Sequence, residues 1–381
     1  MNKTKIPWIM TLAFIIVVTF YSVPLQKVIQ IINYEFSPKK GFHIKLAKIN
    51  EPITALCAEP SNKLHLLVSV WNGSGKPVPF ANVSMKDSKA AGSFSKAAFR
   101  TDVNGECIVT YTPSSELNAK LLGAEGIDTE LTASISGTDI KSSTALKLIR
   151  VPVVLVHGYQ ESSEVYGNMK EYLSSRGFES YAMDYKSTEG ILSSSRELAL
   201  FIDRQKSNLI SRGIKASRLD IITHSMGGLV ARLYTSSLDY ITRNDVRKLI
   251  FVSVPHKGSP WASIGSTYFN DQGIRDLIPD NPLLSSILPS GLNKGLNSTL
   301  EIGNIVVEFD EVVSPESSSL KEWGIGTEAF NVGESNFSME KLLNGNFMDA
   351  PNHKSILSNK KAFECIENML NSKLPTPEAR N

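Results

Sequence analysis

Apolar positions fall into three regimes along the chain. From Ile6 to Val23 there is no charge, and Trp8, Leu12, Phe14, Ile15, Ile16, Val17 and Val18 leave no polar stripe. Across 41–149, short β-branched or alternating runs recur at Leu64–Trp71, Ala97–Thr101, Glu106–Tyr111, Glu130–Ser136 and Thr144–Leu148. Gly73-Ser-Gly75, Asp102-Val-Asn-Gly105, Pro113-Ser-Ser and Ser136-Gly137 separate them. Period-two runs closed by tight-turn residues predict the strands of a small β-sandwich. From Arg150 the pattern changes again. Val151–Val156, Glu179–Asp184, Leu219–Thr223, Val246–Val254 and Ile302–Phe309 predict strands, and Asn168–Arg176, Arg196–Arg212 and Lys360–Leu370 predict helices. Gly177 and Gly213 are the expected helix stops. Alternating strand and helix is what a parallel sheet covered by helices requires.

Length agrees with that division. At 381 residues the chain exceeds one ordinary domain, so the expected organisation is a leader or anchor over 1–35, a β module over 41–149, an α/β domain over 150–374 and a tail over 375–381. Two lysines precede the apolar run and a polar chain follows it, which places the body of the protein outside the cytoplasm. Cleavage of the run or its retention in the membrane is left open, because it nears the ~18–20 residues that span a bilayer and no Ala-x-Ala site follows it. Forty basic and 38 acidic residues give a net charge of +2 without a charged block, so nucleic acid is not an expected partner.

The chemistry concentrates in LDIITHSMGGLVAR, Leu219 to Arg232. Ser225 lies between a buried strand and a glycine-led helix. A serine on such a sharp turn is exposed at the top of the sheet, and the N–H of the next residue, Met226, becomes half of an oxyanion hole. Gly227 supplies the small residue after the turn. Thr223 stands where Gly-x-Ser-x-Gly has its first glycine.

With VPVVLVHGY upstream and SVPHKGSPWA downstream, this stretch resembles the lipase and esterase branch of the α/β-hydrolases, nearest to bacterial triacylglycerol lipases and GPI inositol-deacylases. The resemblance covers about Val151 to Leu370. It implies an α/β fold with a mostly parallel sheet and a helical cap, and no metal or organic cofactor. It also implies that Tyr159, after the His157-Gly158 turn, gives the second oxyanion N–H. The family order of serine, acid and histidine points to His353 as base rather than His256, whose PHKGS turn is structural in the family. Asp310, ending the strand Ile302–Phe309 and followed by Glu-Val-Val-Ser-Pro, matches the family's acid; Glu308 and Glu311 are neighbours expected to be solvated charges. The insertion 259–303, with Trp261, Tyr268, Phe269 and several Ile and Leu residues, reads as a cap, with packed core as the alternative.

GKPVPFANVSM, FRTDVNGECIVTYTP and ELTASISG resemble the bacterial Ig-like modules of invasin-type surface proteins, which would make cell-surface contact a role of that module. Cys57 and Cys107 are candidates for a disulfide closing a loop of about 50 residues, or are two buried thiols. The expected activity is hydrolysis of acyl esters of lipids by Ser225, Asp310 and His353. Alternatives are acyl transfer, thioester or amide chemistry in the same site, or an adhesion protein with an inert hydrolase scaffold.

Overall fold

The computed structural model describes residues 25–36, 39, 41–49, 52–114, 122–332 and 351–380. The apolar run Ile6–Val23 lies outside them. Among the described residues no helix is long and apolar enough to cross a membrane. The chain divides into two compact units: 1–54 with 62–115 and 128–147, and 55–61 with 116–127 and 148–381.

The first unit is antiparallel. Helix α1 (Leu25–Phe36) precedes β1 (His43–Lys48); after β2 (Ala55–Cys57), which belongs to the second unit, come β3 (Leu64–Trp71), β4 (Asn82–Asp87), β5 (Gly92–Phe94), β6 (Ala98–Arg100), β7 (Glu106–Pro113), β8 (Ile127–Ile135) and β9 (Lys141–Ile149). One sheet runs β1-β3-β7-β5, and β9, β8, β4 and β6 are neighbours in another. Leu64, Leu66, Val68 and Val70 of β3 and Leu131, Ala133 and Ile135 of β8 are buried at every second position, the period of a strand with one covered face. Asp87 closes the β4–β5 turn by accepting from the N–H groups of Ala91 and Gly92, the Tyr111 hydroxyl and the Thr129 hydroxyl. Helix α1 falls largely within the expected leader, yet Val28 and Tyr34 are buried and Glu35 bonds Asn82 and Arg100 of this unit. An amphipathic helix hides its apolar stripe by docking, and this one docks on the module that follows it.

The second unit is built on six parallel strands. β10 (Val153–Val156), β11 (Ser180–Met183), β13 (Leu219–His224), β14 (Val246–Val252), β15 (Glu301–Val307) and β16 (Glu328–Phe330) lie in the order β11-β10-β13-β14-β15-β16. All five pairings are parallel. The short β12 (Ile214–Lys215) pairs with β2 instead. Side chains alternate between two cores: Val154, Val156, Ile221, Leu249 and Phe251 on one face, Val153, Leu155, Ile222, Ile250 and Val252 on the other. Burial on both faces is why these strands read as unbroken apolar runs. Helices α3 (Ile191–Ser211) and α4 (Met226–Ser236), with the short α5 (Tyr240–Arg243), pack on the first face, α2 (Gly167–Ser175) and α9 (Lys360–Asn371) on the second. Gly177 and Gly213 have φ of 80° and 74°, the left-handed stop expected after α2 and α3.

Two alternatives that the sequence left open bear on this unit. Cys57 sits in the core of this unit, fully buried, Cys107 is only partly buried, and no disulfide joins them. The insertion 259–303 forms short pieces, α6 (Pro260–Gly265) and α7 (Gln272–Asp276) among them. Its Ala262, Ile274, Leu277, Leu283, Leu288, Leu296 and Leu300 join the sheet's core, while Ile264, Tyr268 and Ile287 are exposed. Much of it is therefore packed core.

Asp220, the one charge in the β13 run, is wholly buried against Arg247 of β14, whose Nε lies 2.9 Å from Oδ1. Beside it Lys248 donates to the carbonyls of Met369, Leu370 and Ser372 and so closes the C-terminal end of α9. Asp220→Ala strands the Arg247 charge, and it is expected to cost about 3–5 kcal/mol in urea unfolding. An unchanged midpoint would show that water reaches the guanidinium.

Candidate active site

The six strands β11, β10, β13, β14, β15 and β16 all point the same way, so their C-terminal ends share one edge. The turn after β10 holds His157 and Gly158, the turn after β13 holds Ser225, and Asp310 follows β15 by a short loop. Ligands of open parallel sheets bind at this edge.

Ser225 has φ 51° and ψ −127°, a conformation that an L-residue keeps only when its surroundings impose it. The imposing contact lies two residues on. A Cβ on Gly227 would fall 2.3 Å from the carbonyl oxygen of Val156 and 2.4 Å from that of His157, so α4 can start this close to β10 only with glycine there. Met226 is the first residue of α4, whose N-terminal N–H groups face this turn. Thr223 tolerates the tight turn by turning its hydroxyl to the Ile250 carbonyl, 3.3 Å away on the neighbouring strand.

Gly158 is as constrained as Gly227. A Cβ there would meet Ser225 Cβ at 2.9 Å and Glu161 Oε2 at 2.8 Å, which places the 157–159 turn directly against the serine. The turn is pinned at many points. The Tyr166 hydroxyl donates to the Val156 carbonyl and the Tyr185 hydroxyl to that of His157, at 2.8 and 2.6 Å. The Gly158 N–H donates to Glu161 at 2.7 Å, and the Tyr159 hydroxyl to Asp271 at 2.5 Å. Asp271 also accepts from the N–H of Ile274 as the N-cap of α7, so one carboxylate joins the insertion to the residue expected to supply an oxyanion donor.

His353 lies on α8 (Pro351–Ser355) with its ring Nδ1 2.7 Å from Asp310 Oδ2. Asp310 is in turn held by the N–H groups of Val312 and Val313 at 2.8 and 2.9 Å. Burial raises its carboxyl, but His353 and these two N–H groups outweigh that and leave it below the usual carboxylate range. Burial works against a charged His353; Asp310, with Glu161 and Glu311, outweighs burial, and the imidazole is held above its ordinary range. Ser225 reaches this pair through its chain neighbour: the rings of His224 and His353 are 4.6 Å apart, and His224 Nε2 lies 3.0 Å from the His353 carbonyl oxygen.

Three residues overlooked or misjudged in the sequence belong to this site. Glu311 is buried, not solvated: its two oxygens each lie 3.1 Å from a backbone nitrogen, those of Asn352 and His353. It caps the helix that carries the histidine. The signal was an acid available to a short helix whose first N–H groups need acceptors. His224 is also buried and the Glu161 side chain, on a partly buried residue, is largely covered, with His224 Nδ1 3.0 Å from Glu161 Oε2. Burial raises the Glu161 carboxyl, but His224 and the Gly158 N–H bring it down to about 2. An acid in the turn that follows a glycine was its only trace. Glu308 is exposed. His256 sits apart from the site, with Nδ1 3.3 Å from Arg232, and burial ahead of the Arg232 charge keeps it far below the ordinary imidazole range. No group of three His, Cys, Asp or Glu side chains among the described residues is placed to hold a metal ion.

A family model described as serine aminopeptidase, S33, matches residues 149–264, under a third of the chain. The Bacillus licheniformis lipase BlEst2 in its propeptide form is similar at 14% identity, with 61% of this chain and 52% of that one covered and a TM-score of 0.46. This chain thus spans about half of that lipase's length. The mature form gives 14% identity, 58% and 92% coverage and a TM-score of 0.45. A soluble variant of Saccharomyces cerevisiae monoglyceride lipase gives 15% identity, 60% and 88% coverage and a TM-score of 0.41. The parallel sheet with helices on both faces and a serine turn between β13 and α4 is an α/β-hydrolase-like arrangement.

Gly227→Ala is expected to lower stability by about 3 kcal/mol, since two backbone oxygens, not flexible side chains, occupy the space. Differential scanning calorimetry checks it, and a wild-type Tm would mean that α4 can back away from β10. Glu311→Gln is expected to keep the fold and weaken the seat of α8, seen as faster amide exchange at Asn352 and His353.

Proposed function

We propose that the chain is a serine carboxylic-ester hydrolase acting on acyl esters of lipids. The observation that carries this reading is the strained backbone of Ser225 set beside a buried Asp310–His353 pair. In this mechanism Ser225 Oγ attacks the ester carbonyl carbon while His353 Nε2 takes its proton. The N–H groups of Met226 and Tyr159 hold the oxyanion, and His353 returns the proton to the departing alcohol. Water, deprotonated by the same imidazole, then splits the acyl-enzyme and frees the acid. Asp310 keeps the proton on Nδ1, which leaves Nε2 to act. The exposed Ile264, Tyr268 and Ile287 of the insertion supply apolar surface for an acyl chain. The lysines and the apolar run before residue 24 support a site of action outside the cytoplasm.

The peptidase description of the matching family favours a second reading, amide cleavage in the same site. p-Nitrophenyl acyl esters and aminoacyl p-nitroanilides offered to the full chain separate the two. Ester hydrolysis lost by at least about 10⁴-fold in Ser225→Ala is the expected result. Anilide cleavage without ester cleavage would replace the ester reading by the amide one. The base must be neutral to work, and a raised His353 stays protonated to higher pH. The acid limb of kcat/KM is therefore expected above the ~6.5 of a free imidazole. Asp310→Asn should lower kcat by about 10⁴-fold and shift that limb to lower pH. A limb below the free-imidazole range in the wild type would remove His353 as base.

A further inference from the structure

Glu161 and His224 take no part in the ester chemistry above, yet the His224 ring is buried and the Glu161 side chain largely covered beside it. Glu161 Oε2 faces two groups at once, the Gly158 N–H at 2.7 Å and His224 Nδ1 at 3.0 Å. His224 Nε2 faces the carbonyl oxygen of His353 at 3.0 Å, and a carbonyl can only accept. That bond fixes a proton on Nε2. An ionised carboxylate oxygen that already accepts from Gly158 can also only accept, so the second bond has its proton on Nδ1. With Glu161 ionised, this geometry calls for a donor at both ring nitrogens, with the carboxylate as the partner of one of them.

We propose that His224 and Glu161 are a pair of positioning residues that ties the Gly158–Tyr159 turn to the backbone of His353. The inference rests on the reading of Ser225 and His353 as the reacting pair. The link joins three elements with no covalent closeness: the turn after β10, the turn after β13 and α8. One end sets where the oxyanion N–H of Tyr159 stands, because Gly158 precedes it directly. The other end holds the carbonyl of His353, whose N–H is held by Glu311 and whose ring is held by Asp310. The donor side and the base side of the site thus keep their spacing through one ring, and that ring adjoins Ser225 in the chain.

Glutamine cannot replace Glu161 here. Its amide oxygen at this point would accept both bonds but leave His224 without a counter-charge, and its amide nitrogen would face the Gly158 N–H. The test uses Glu161→Gln, His224→Gln and the double variant, with kcat and KM on a p-nitrophenyl ester and a thermal midpoint for each. Each single change is expected to lower kcat by about ten- to a hundredfold, the scale of a small misplacement of reacting groups, with KM within about twofold. The double variant should lose no more than the worse single one, since one link is cut either way. Wild-type kcat in Glu161→Gln, or losses that multiply in the double variant, would overturn the pairing. A second measurement needs no activity: in wild-type protein labelled with ¹⁵N-histidine at neutral pH, His224 should show an N–H on both ring nitrogens, with His224→Gln giving the assignment. A single N–H overturns the proposal. Should the wild type hydrolyse no ester, the ester reading falls while the nitrogen spectrum still decides the pair.

Discussion

The approach of α4 to β10 at Gly227 is the constraint on which the site depends. A helix beginning within van der Waals reach of two strand carbonyls leaves the residue before it no ordinary backbone conformation. Ser225 therefore carries the strain, and the core around α4 supplies the free energy that keeps it there. Leu229, Val230 and Ala231 are fully buried, so letting the turn relax would mean pulling that face of α4 off the sheet. Strain at the serine and burial of the helix are one bargain struck by the same packing. The closeness of Gly158 to the serine follows from the same geometry, since both turns close the ends of adjacent parallel strands.

Around that fixed point the protein covers three carboxylate side chains and gives each a different task. Asp310 holds the His353 ring, Glu311 seats the short helix beneath it, and Glu161 gathers the 157–159 turn. Every one of them accepts at least two donors, which is how ionised groups survive away from water. A polar network this complete rigidifies, because loosening any member strands a buried charge.

Much of this was legible from the order of residues alone. The unbroken apolar runs gave the parallel strands because both sheet faces are covered, and the glycine stops gave the helix ends. The strand over 64–71 was read to its limits because alternation survives where one face is wet. Helix α3 begins at Ile191 rather than Arg196, since its first turn, Ile191 to Ser195, has serines buried by tertiary contact that local propensity disfavours. The strands β1 and β4 and the place of Cys57 escaped for a related reason: short or polar segments take their role from partners distant in sequence. Glu311, Glu161 and His224 were hidden more deeply. Their partners are mostly backbone groups, and backbone leaves no letter in a sequence.

The adjacency of Asp310 and Glu311 also bears on how such a site can change over evolutionary time. A second carboxylate one residue away offers, in principle, a route by which one acid could take up the task of the other. Here that route is closed. Both oxygens of Glu311 already bond the backbone of Asn352 and His353, so turning toward the imidazole ring would release the helix that presents it. The two neighbouring carboxylates therefore act as one unit, since neither can take over the other's bonds without giving up its own.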